Sequence, residues 1–190
     1  PLRADDYTWS FSTAVPGLSE IEPVDQATGI SIAELSQVEV TFSAPIDADQ
    51  ATATNFVLLR EGSEVSLRPN DPVALDEGEY GLAPQAGWQV GSTYTLQISP
   101  SVTGPLGVDQ PIVRQFQTAV PDIQSVTPAA DATEVAVTAA QLRAVFDNPV
   151  DAAQVGSDTV QLLQEGQPVP IDDPTHSASD HSLTFAPLVL

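Results

Sequence analysis

The residues of this sequence with chemistry beyond packing are aspartates that follow a recurring Pro-Ile-Asp or Pro-Val-Asp step. Asp47 and Asp49 belong to the first such step, and Asp151 belongs to the second. Several carboxylates close together are the ligands that calcium prefers. An aspartate in a turn also accepts hydrogen bonds from its own backbone, which is the more common role. The sequence therefore names Asp47, Asp49 and Asp151 as calcium candidates, with turn formation as the preferred interpretation.

The only two histidines, His176 and His181, lie in a stretch rich in serine and aspartate. Two histidines five residues apart beside carboxylates could bind zinc. The matching stretch of the repeat described below contains no histidine, and loops are where sequence varies most freely. An ordinary exposed loop is therefore the preferred interpretation.

Motifs for covalent or phosphoryl chemistry are absent from the sequence. There is no cysteine, no serine in a Gly-x-Ser-x-Gly turn and no glycine-rich phosphate loop. Trp9 and Trp88 could stack on sugars, but their places within and next to predicted strands favour packing. The sequence predicts a protein that is not an enzyme and has no cofactor apart from the calcium considered above.

The charge balance narrows the choice of partners. The 190 residues include 26 Asp and Glu against five Arg and no Lys, which gives a net charge of -21. Nucleic acids and anionic membrane surfaces require a basic footprint, so neither is expected as a partner. No apolar run approaches the ~20 residues that cross a bilayer, so no direct membrane insertion is expected.

The sequence repeats itself with an offset of 105 residues that falls to 104 and then 103. The segment FSTAVP at 11–16 recurs as FQTAVP at 116–121. Further along, VEVTFSAPIDA from Val38 recurs as LRAVFDNPVDA from Leu142. Anchors that keep their order over such a length indicate tandem copies of one structural unit.

The repeat predicts three parts. Residues 1–15 are the last strand of one domain, residues 16–120 form a complete domain, and residues 121–190 form a domain without its last strands. The match of LAPQ from Leu82 with FAPL from Phe185 fixes the end of the third part. This part has no counterpart of GSTYTLQIS and IVRQFQTA, so we expect it to expose its core and a sheet edge.

Period-two alternation dominates the complete domain. Val38, Val40 and Phe42 alternate with polar residues, and their counterparts in the third part keep the pattern. Short strands without helices between them predict antiparallel sheets packed face to face. Predicted strands cover Ile21, Ile30–Ile32, Val38–Phe42, Phe56–Arg60, Val65–Leu67, Glu79–Ala83, Thr93–Ile98 and Ile112–Thr118.

Taken together, these motifs resemble the bacterial Ig-like domains of S-layer and other surface proteins, over essentially the whole chain. The resemblance implies an all-β fold of tandem immunoglobulin-like β-sandwiches, antiparallel and of Greek-key type. GSTY before an alternating strand also resembles a tyrosine corner, which implies a hydrogen bond between the Tyr94 hydroxyl and nearby backbone. The family serves mostly as spacer, stalk and adhesive module, with no shared active site.

The leading functional prediction is a non-enzymatic spacer segment of a secreted or cell-surface bacterial protein. Pro16 and Pro121 stand in joints with almost no linker, which should stiffen a row of domains into a rod. The expected partners are neighbouring domains or copies of the same protein, and the expected location is extracellular.

Two alternatives remain open. Tyr7, Trp9 and Phe11 lie on one face of the first strand, which could complete the unfinished domain of another copy and build a head-to-tail filament. The plainer interpretation is that the segment cuts across the domains of a longer array. An adhesin or ligand-binding stalk is the other alternative, and it would need an exposed aromatic platform.

Overall fold

The structure is a computed structural model that describes residues 9–12, 15–103, 109–135 and 141–188. The described residues form fifteen β-strands with a few short 3-10 turns, which confirms the all-β prediction. No helix in this part of the chain has the length and apolar character to span a membrane. The strands fall into a first unit (β1–β9) and a second unit (β10–β15).

The first unit has two sheets, of strand order β1-β3-β7-β6 and β2-β9-β8-β4-β5. Neighbours pair antiparallel except β2 and β9, which are parallel. The strands are β1 (Leu18–Glu22), β2 (Ala27–Ile30), β3 (Val38–Phe42), β4 (Phe56–Arg60), β5 (Ser63–Glu64), β6 (Val73–Asp76), β7 (Glu79–Leu82), β8 (Thr93–Ile98) and β9 (Ile112–Thr118).

The second unit repeats the first of these sheets. Its four-stranded sheet has the order β10-β11-β15-β14, and β12 and β13 form a separate two-stranded sheet. Even a register shift recurs, between Leu18 and Glu20 in β1 and between Ile123 and Ser125 in β10. The strands are β10 (Ile123–Thr127), β11 (Leu142–Phe146), β12 (Leu162–Gln164), β13 (Gln167–Val169), β14 (Thr175–Ser177) and β15 (Ser182–Phe185).

The core of the first unit lies between its two sheets. The alternation of β3 buries Val38, Val40 and Phe42, while the residues between them are half-buried. The alternation of β8 does the same from the opposite sheet. The inward residues of that sheet are Phe56, Leu58, Tyr94, Leu96, Ile98 and Phe116.

One hairpin shows how sequence sets local structure in both units. Glu61 and Gly62 both have positive φ, 49° and 78°, as a two-residue turn between twisted strands requires. Glu165 and Gly166 repeat these values in the second unit, at 52° and 79°. The recurring Glu-Gly pair therefore fixes the β4–β5 and β12–β13 hairpins.

Some strands differ from the sequence prediction. The strand predicted at Val65–Leu67 lies instead at β5, because the tight turn lets pairing start at once. The strand predicted over Ile30–Ile32 ends at Ile30. The prediction also missed β6, an edge strand whose residues are all exposed and so carry no alternation.

Candidate functional site

Two of the calcium candidates take part in turn formation. Asp47 Oδ1 accepts a hydrogen bond from the backbone N–H of Asp49 at 3.2 Å, and Asp151 Oδ1 accepts one from Ala153 at 2.9 Å. Each aspartate caps the same 3-10 turn of its unit. No three side chains able to bind a metal come together within the described ranges. Calcium binding at Asp47, Asp49 and Asp151 stays an untested prediction.

The two histidines lie on a hairpin of the second unit. His176 is in β14 opposite Leu183 of β15, and His181 ends the turn between these strands with a φ of 49°. The neighbouring carboxylate of Asp180 is engaged elsewhere. It contacts Arg143 at 2.6 Å and accepts a hydrogen bond from the Ser182 hydroxyl at 2.8 Å. His176 is therefore half-buried in a paired strand and not in the exposed loop that the sequence favoured, because β14 pairs with β15. Among the described residues, no group of three metal-binding side chains includes either histidine.

The contacts of Asp180 change its acidity. Hydrogen bonds from Ser182, Ser177 and Arg143, in decreasing order of effect, lower the pKa of this carboxyl from 3.8 to about 2. Asp180 therefore stays ionised well into the acidic range and stabilises the β14–β15 hairpin there.

The predicted assembly strand is described only in part. Tyr7 lies outside the described residues. Trp9 and Phe11 stack on each other, with ring centroids 5.3 Å apart, and are 74% and 72% exposed. Neither ring lies in the core of a described unit, and the assembly role of Tyr7, Trp9 and Phe11 stays an untested prediction. Trp88, in contrast, packs edge-on against Tyr94, with ring centroids 4.9 Å apart.

A groove of about 550 Å³ lies on one face of the four-stranded sheet of the second unit. We call this groove the open face. Apolar side chains dominate it. Its floor is formed by Ile123, Val126, Ala144, Phe146, Leu183 and Phe185.

The open face of the second unit corresponds to the core of the first. By the repeat, Ala144 and Phe146 match Val40 and Phe42, which are 0% and 4% exposed. Phe146 is half-buried. Phe42 and Phe146 therefore occupy matching places on matching sheets, but only Phe42 is covered. The other floor residues match Leu18, Ile21, Tyr80 and Leu82, which all pack in the core of the first unit.

The joint between the units is short, and its first residue is hydrogen-bonded to the first unit. Only 119–122 separate β9 from β10. Ala119 donates to the Ile30 carbonyl at 2.8 Å and accepts from the Gly91 N–H at 2.9 Å. Gly91 has a φ of 60°, and a Cβ there would lie 3.2 Å from Val120 Cγ2. The joint thus packs tightly on the loop before β8.

That loop is itself held by the tyrosine corner. The Tyr94 hydroxyl accepts a hydrogen bond from the Gln89 N–H at 2.9 Å, as the sequence predicted. The buried Thr118 hydroxyl donates to the Gln89 carbonyl at 2.6 Å and accepts from the Ser92 N–H at 2.9 Å. The next residue of the loop, Val90, lines the open face. The first unit therefore contributes a residue to the groove of the second.

The far end of the joint is held by the second unit. Asp122 donates its backbone N–H to Asp147 Oδ1 at 2.8 Å, and Asp147 donates its N–H to the Asp122 carbonyl at 3.0 Å. The Asp122 bond is the main cause that lowers the pKa of Asp147. Gly17 and Ser43 form the same reciprocal pair in the first unit, at 3.0 and 2.8 Å. No pattern in the sequence indicates this reciprocal pair, which we call the joint clip.

Comparison with known proteins agrees with this architecture. A family model described as a bacterial Ig-like domain matches residues 12–118 and again 117–189. No curated protein matches the chain significantly. Among solved structures, similar chains include the N-terminal part of the bacterial S-layer protein SbsC, with 22% identity and a TM-score of 0.39 over 60% of this chain and 26% of that one.

Other solved structures are similar at the same level. A longer SbsC structure, domains 1–6, has 21% identity and a TM-score of 0.39, over 60% of this chain and 15% of that one. The LD transpeptidase LdtMt1, in complex with imipenem, has 13% identity and a TM-score of 0.37, over 87% of this chain and 56% of that one. This chain thus spans only part of the length of each. The family model covers nearly the whole sequence, and the chain belongs to the bacterial Ig-like domain family as two consecutive copies.

Proposed function

We propose that this chain is a non-enzymatic spacer segment of a secreted or cell-surface bacterial protein, in which consecutive Ig-like units form a stiff rod. The family assignment supports a structural role at the cell surface. The one observation that carries the proposal is the joint, because a rod needs each unit to be held in a fixed direction relative to the next.

The joint has little freedom to bend. Its first residue is bonded to the first unit and its last residue to the second, with Pro121 between them. Proline fixes its own φ and restricts the residue before it. Val90 of the first unit and Pro121 of the joint both line the open face, so residues from both sides of the joint border one groove.

Surface charge supports the same role. A net charge of -21 keeps neighbouring rods apart and soluble, since like-charged surfaces repel over about a Debye length. The spacing between rods would then be set by charge and the reach of each rod by its joints.

Distance measurements between paired spin labels test the stiffness directly. The chain has no cysteine, so Val113→Cys in the first unit and Thr175→Cys in the second, both at exposed positions, give a single label pair. We expect a narrow distance distribution. Inserting two glycines after Val120 should broaden it severalfold, because the bonds on either side of the joint can then move independently.

A matched control inserts the same two glycines between Glu61 and Gly62, in the β4–β5 turn. This variant changes the length of the chain equally and should leave the distribution narrow. A broad distance distribution in the chain with the unaltered joint would contradict the proposal of a stiff rod.

A second candidate function is a subunit of an extracellular filament that assembles head to tail by strand complementation. The exposed Trp9–Phe11 pair favours it, because Phe11 matches Phe116, which is buried in β9. Deleting 1–14 should then abolish concentration-dependent assembly in light scattering. Assembly that survives the deletion would remove this candidate. The adhesin alternative stays a prediction.

A further inference from the structure

We infer that a cavity beside Arg60 in the first unit binds a sugar acid, whose carboxylate is held by the guanidinium and whose hydroxyls are held by neutral polar side chains. The cavity has a volume of about 520 Å³, within the range of small-molecule sites. It lies where the residues after the β4–β5 hairpin meet the segment 84–89. The inference goes beyond the spacer role, which depends on the joint and not on this cavity.

Arg60 occupies an inward position at the end of β4. The alternation of this strand buries Phe56 and Leu58 completely, and Arg60 follows on the same side, opposite the buried Tyr94 of β8. Arg60 is half-buried, and its guanidinium has no hydrogen bond or ion pair within the part of the chain that the structure describes. A guanidinium presents a planar fork of donors that fits the two oxygens of a carboxylate. Arg60 can therefore hold a carboxylate at the cavity wall.

Neutral polar side chains line the rest of the cavity. The side chains of Ser66, Gln85 and Gln89 make no hydrogen bond to any described residue. The Tyr94 hydroxyl, of a residue only 1% exposed, accepts from the Gln89 N–H at 2.9 Å and donates to no described group. Buried polar groups in proteins are usually paired. A ligand oxygen in the cavity would accept the proton of this hydroxyl.

The second unit builds the same backbone frame without these polar side chains. The Gln85 N–H donates to the Ser66 carbonyl at 2.8 Å, and the Leu188 N–H donates to the Pro170 carbonyl at 2.9 Å. The repeat matches the two pairs residue by residue, and an isolated β-bridge beside each pair also recurs. Since the second unit keeps this frame with a leucine and a proline, the fold does not require the glutamine and serine side chains of the first unit.

Charge favours a ligand with a single negative charge. Among the residues that line the cavity, Arg60 alone is charged, and none is acidic. The chain as a whole has a net charge of -21, so a dianion such as phosphate would gain one ion pair and be repelled more strongly by the remaining surface. A carboxylate carries one charge and has the planar shape that the guanidinium fits. The charge of the cavity therefore indicates a carboxylate.

The neutral part of the wall favours a ligand with hydroxyl groups over an acidic peptide. The hydroxyl of Ser66 and the amides of Gln85 and Gln89 each donate and accept hydrogen bonds, as a sugar hydroxyl does. An aspartate or glutamate side chain would pair with Arg60 but would bring no hydroxyl to these groups. A sugar acid carries a carboxylate and several hydroxyls on one ring, so it can use both parts of the wall.

Titration of the full chain with sodium D-glucuronate, followed by NMR of the backbone amides, tests the inference. We expect saturable shifts at the amides around the cavity, including those of Ser66, Gly87 and Gln89. Arg60→Gln should weaken binding by about tenfold or more, because the charge-assisted hydrogen bonds to the carboxylate are lost. The repeat places glutamine at this position of the second unit, beside the same Glu-Gly turn, so the hairpin is expected to be kept.

Two further variants separate the charge from the neutral wall. Arg68→Gln removes the same charge at an exposed position outside the cavity and should leave glucuronate binding unchanged. Gln85→Leu introduces the residue that the second unit has at the matching position. It should weaken the binding of glucuronate but not that of acetate, which has no hydroxyl.

An oligosaccharide distinguishes the two sources of such a ligand. Tighter binding of a glucuronate-containing tetrasaccharide than of the monosaccharide would assign the site to a polysaccharide, and equal binding would assign it to a single sugar acid. Both results agree with the inference.

Three results would overturn the inference. The first is the absence of saturable shifts at the amides around the cavity. The second is binding that Arg60→Gln does not weaken. The third is binding of D-glucose, inorganic phosphate or N-acetyl-aspartate amide as tight as that of glucuronate, which would identify a site for neutral sugars, for anions in general or for acidic peptides. None of these results affects the spin-label test of the rod.

Discussion

The two units share one sheet and differ in what faces it. Both have a four-stranded sheet of the same order with the same register shift, yet one is covered by a five-stranded sheet, whereas the other faces residues within 150–161 and Val90 of the first unit. Phe42 and Phe146 show the consequence, because the same residue at the same place is buried in one unit and half-buried in the other. Alternation thus specifies which face is apolar, while the strands opposite decide whether that face becomes a core.

Substitution of the matched phenylalanines should give the largest difference in stability loss between the two units. Phe42→Ala should cost ~3–5 kcal/mol of the first unit's unfolding free energy, as is usual for a buried phenylalanine. Phe146→Ala should cost the second unit only about 1 kcal/mol, because its side chain is only partly removed from water. Urea titration followed by NMR reports each unit separately. Equal losses would mean that the open face is covered in solution.

A matched pair of aspartates gives the next largest effect. Asp71 Oδ2 accepts from the Ala83 N–H at 2.8 Å, and Asp172 accepts from Ala186 in the second unit. Asp71→Ala should cost the first unit about 1–3 kcal/mol, because Ala83 is fully buried and its N–H then lacks an acceptor. Asp172→Ala should cost less, since water can reach the half-exposed Ala186. The same NMR titration measures both, and a larger loss from Asp172→Ala would contradict this interpretation.

The tyrosine corner belongs to the first unit alone, because its strand has no described counterpart in the second. Tyr94→Phe should destabilise the first unit by about 1 kcal/mol through loss of the Gln89 hydrogen bond. It should also broaden the spin-label distances across the joint, because Val90 follows Gln89. Tyr80→Phe serves as the control: burial alone raises the pKa of Tyr80, without a hydrogen-bond contribution. If the distance distribution stays equally narrow in both variants, the tyrosine corner does not contribute to the stiffness of the joint.

The smallest effect is expected at Asp180 of the second unit. Its pKa in the folded chain is about 2, below its ordinary value of 3.8, so its stabilising effect is present above about pH 4 and is lost as the pH falls towards 2. Asp180→Asn should therefore lower the urea midpoint of the second unit slightly at pH 7 and much less at pH 2, where the carboxyl is about half protonated. Asp158→Asn removes a charge without these contacts and serves as the control. A difference that persists unchanged at pH 2 would show that the ionised form is not the cause.

Much of the fold was predictable because it depends on local pattern. The repeat and its alternation located most strands of the main sheets, although not the edge strand β6. The parallel pairing of β2 with β9 was not predictable, since alternation does not encode which strand lies beside which. The joint clip was missed because it depends on single hydrogen bonds of Asp147 and Ser43, residues that differ between the units yet perform the same task.

The recurrence of the joint clip has a geometric consequence. A connection that uses the same bonds at every junction rotates and shifts each unit by the same amount relative to the one before. Repetition of one fixed screw motion generates a regular helix, so a longer series of such units would wind about a straight axis. Its length along this axis would then increase by the same amount with each added unit.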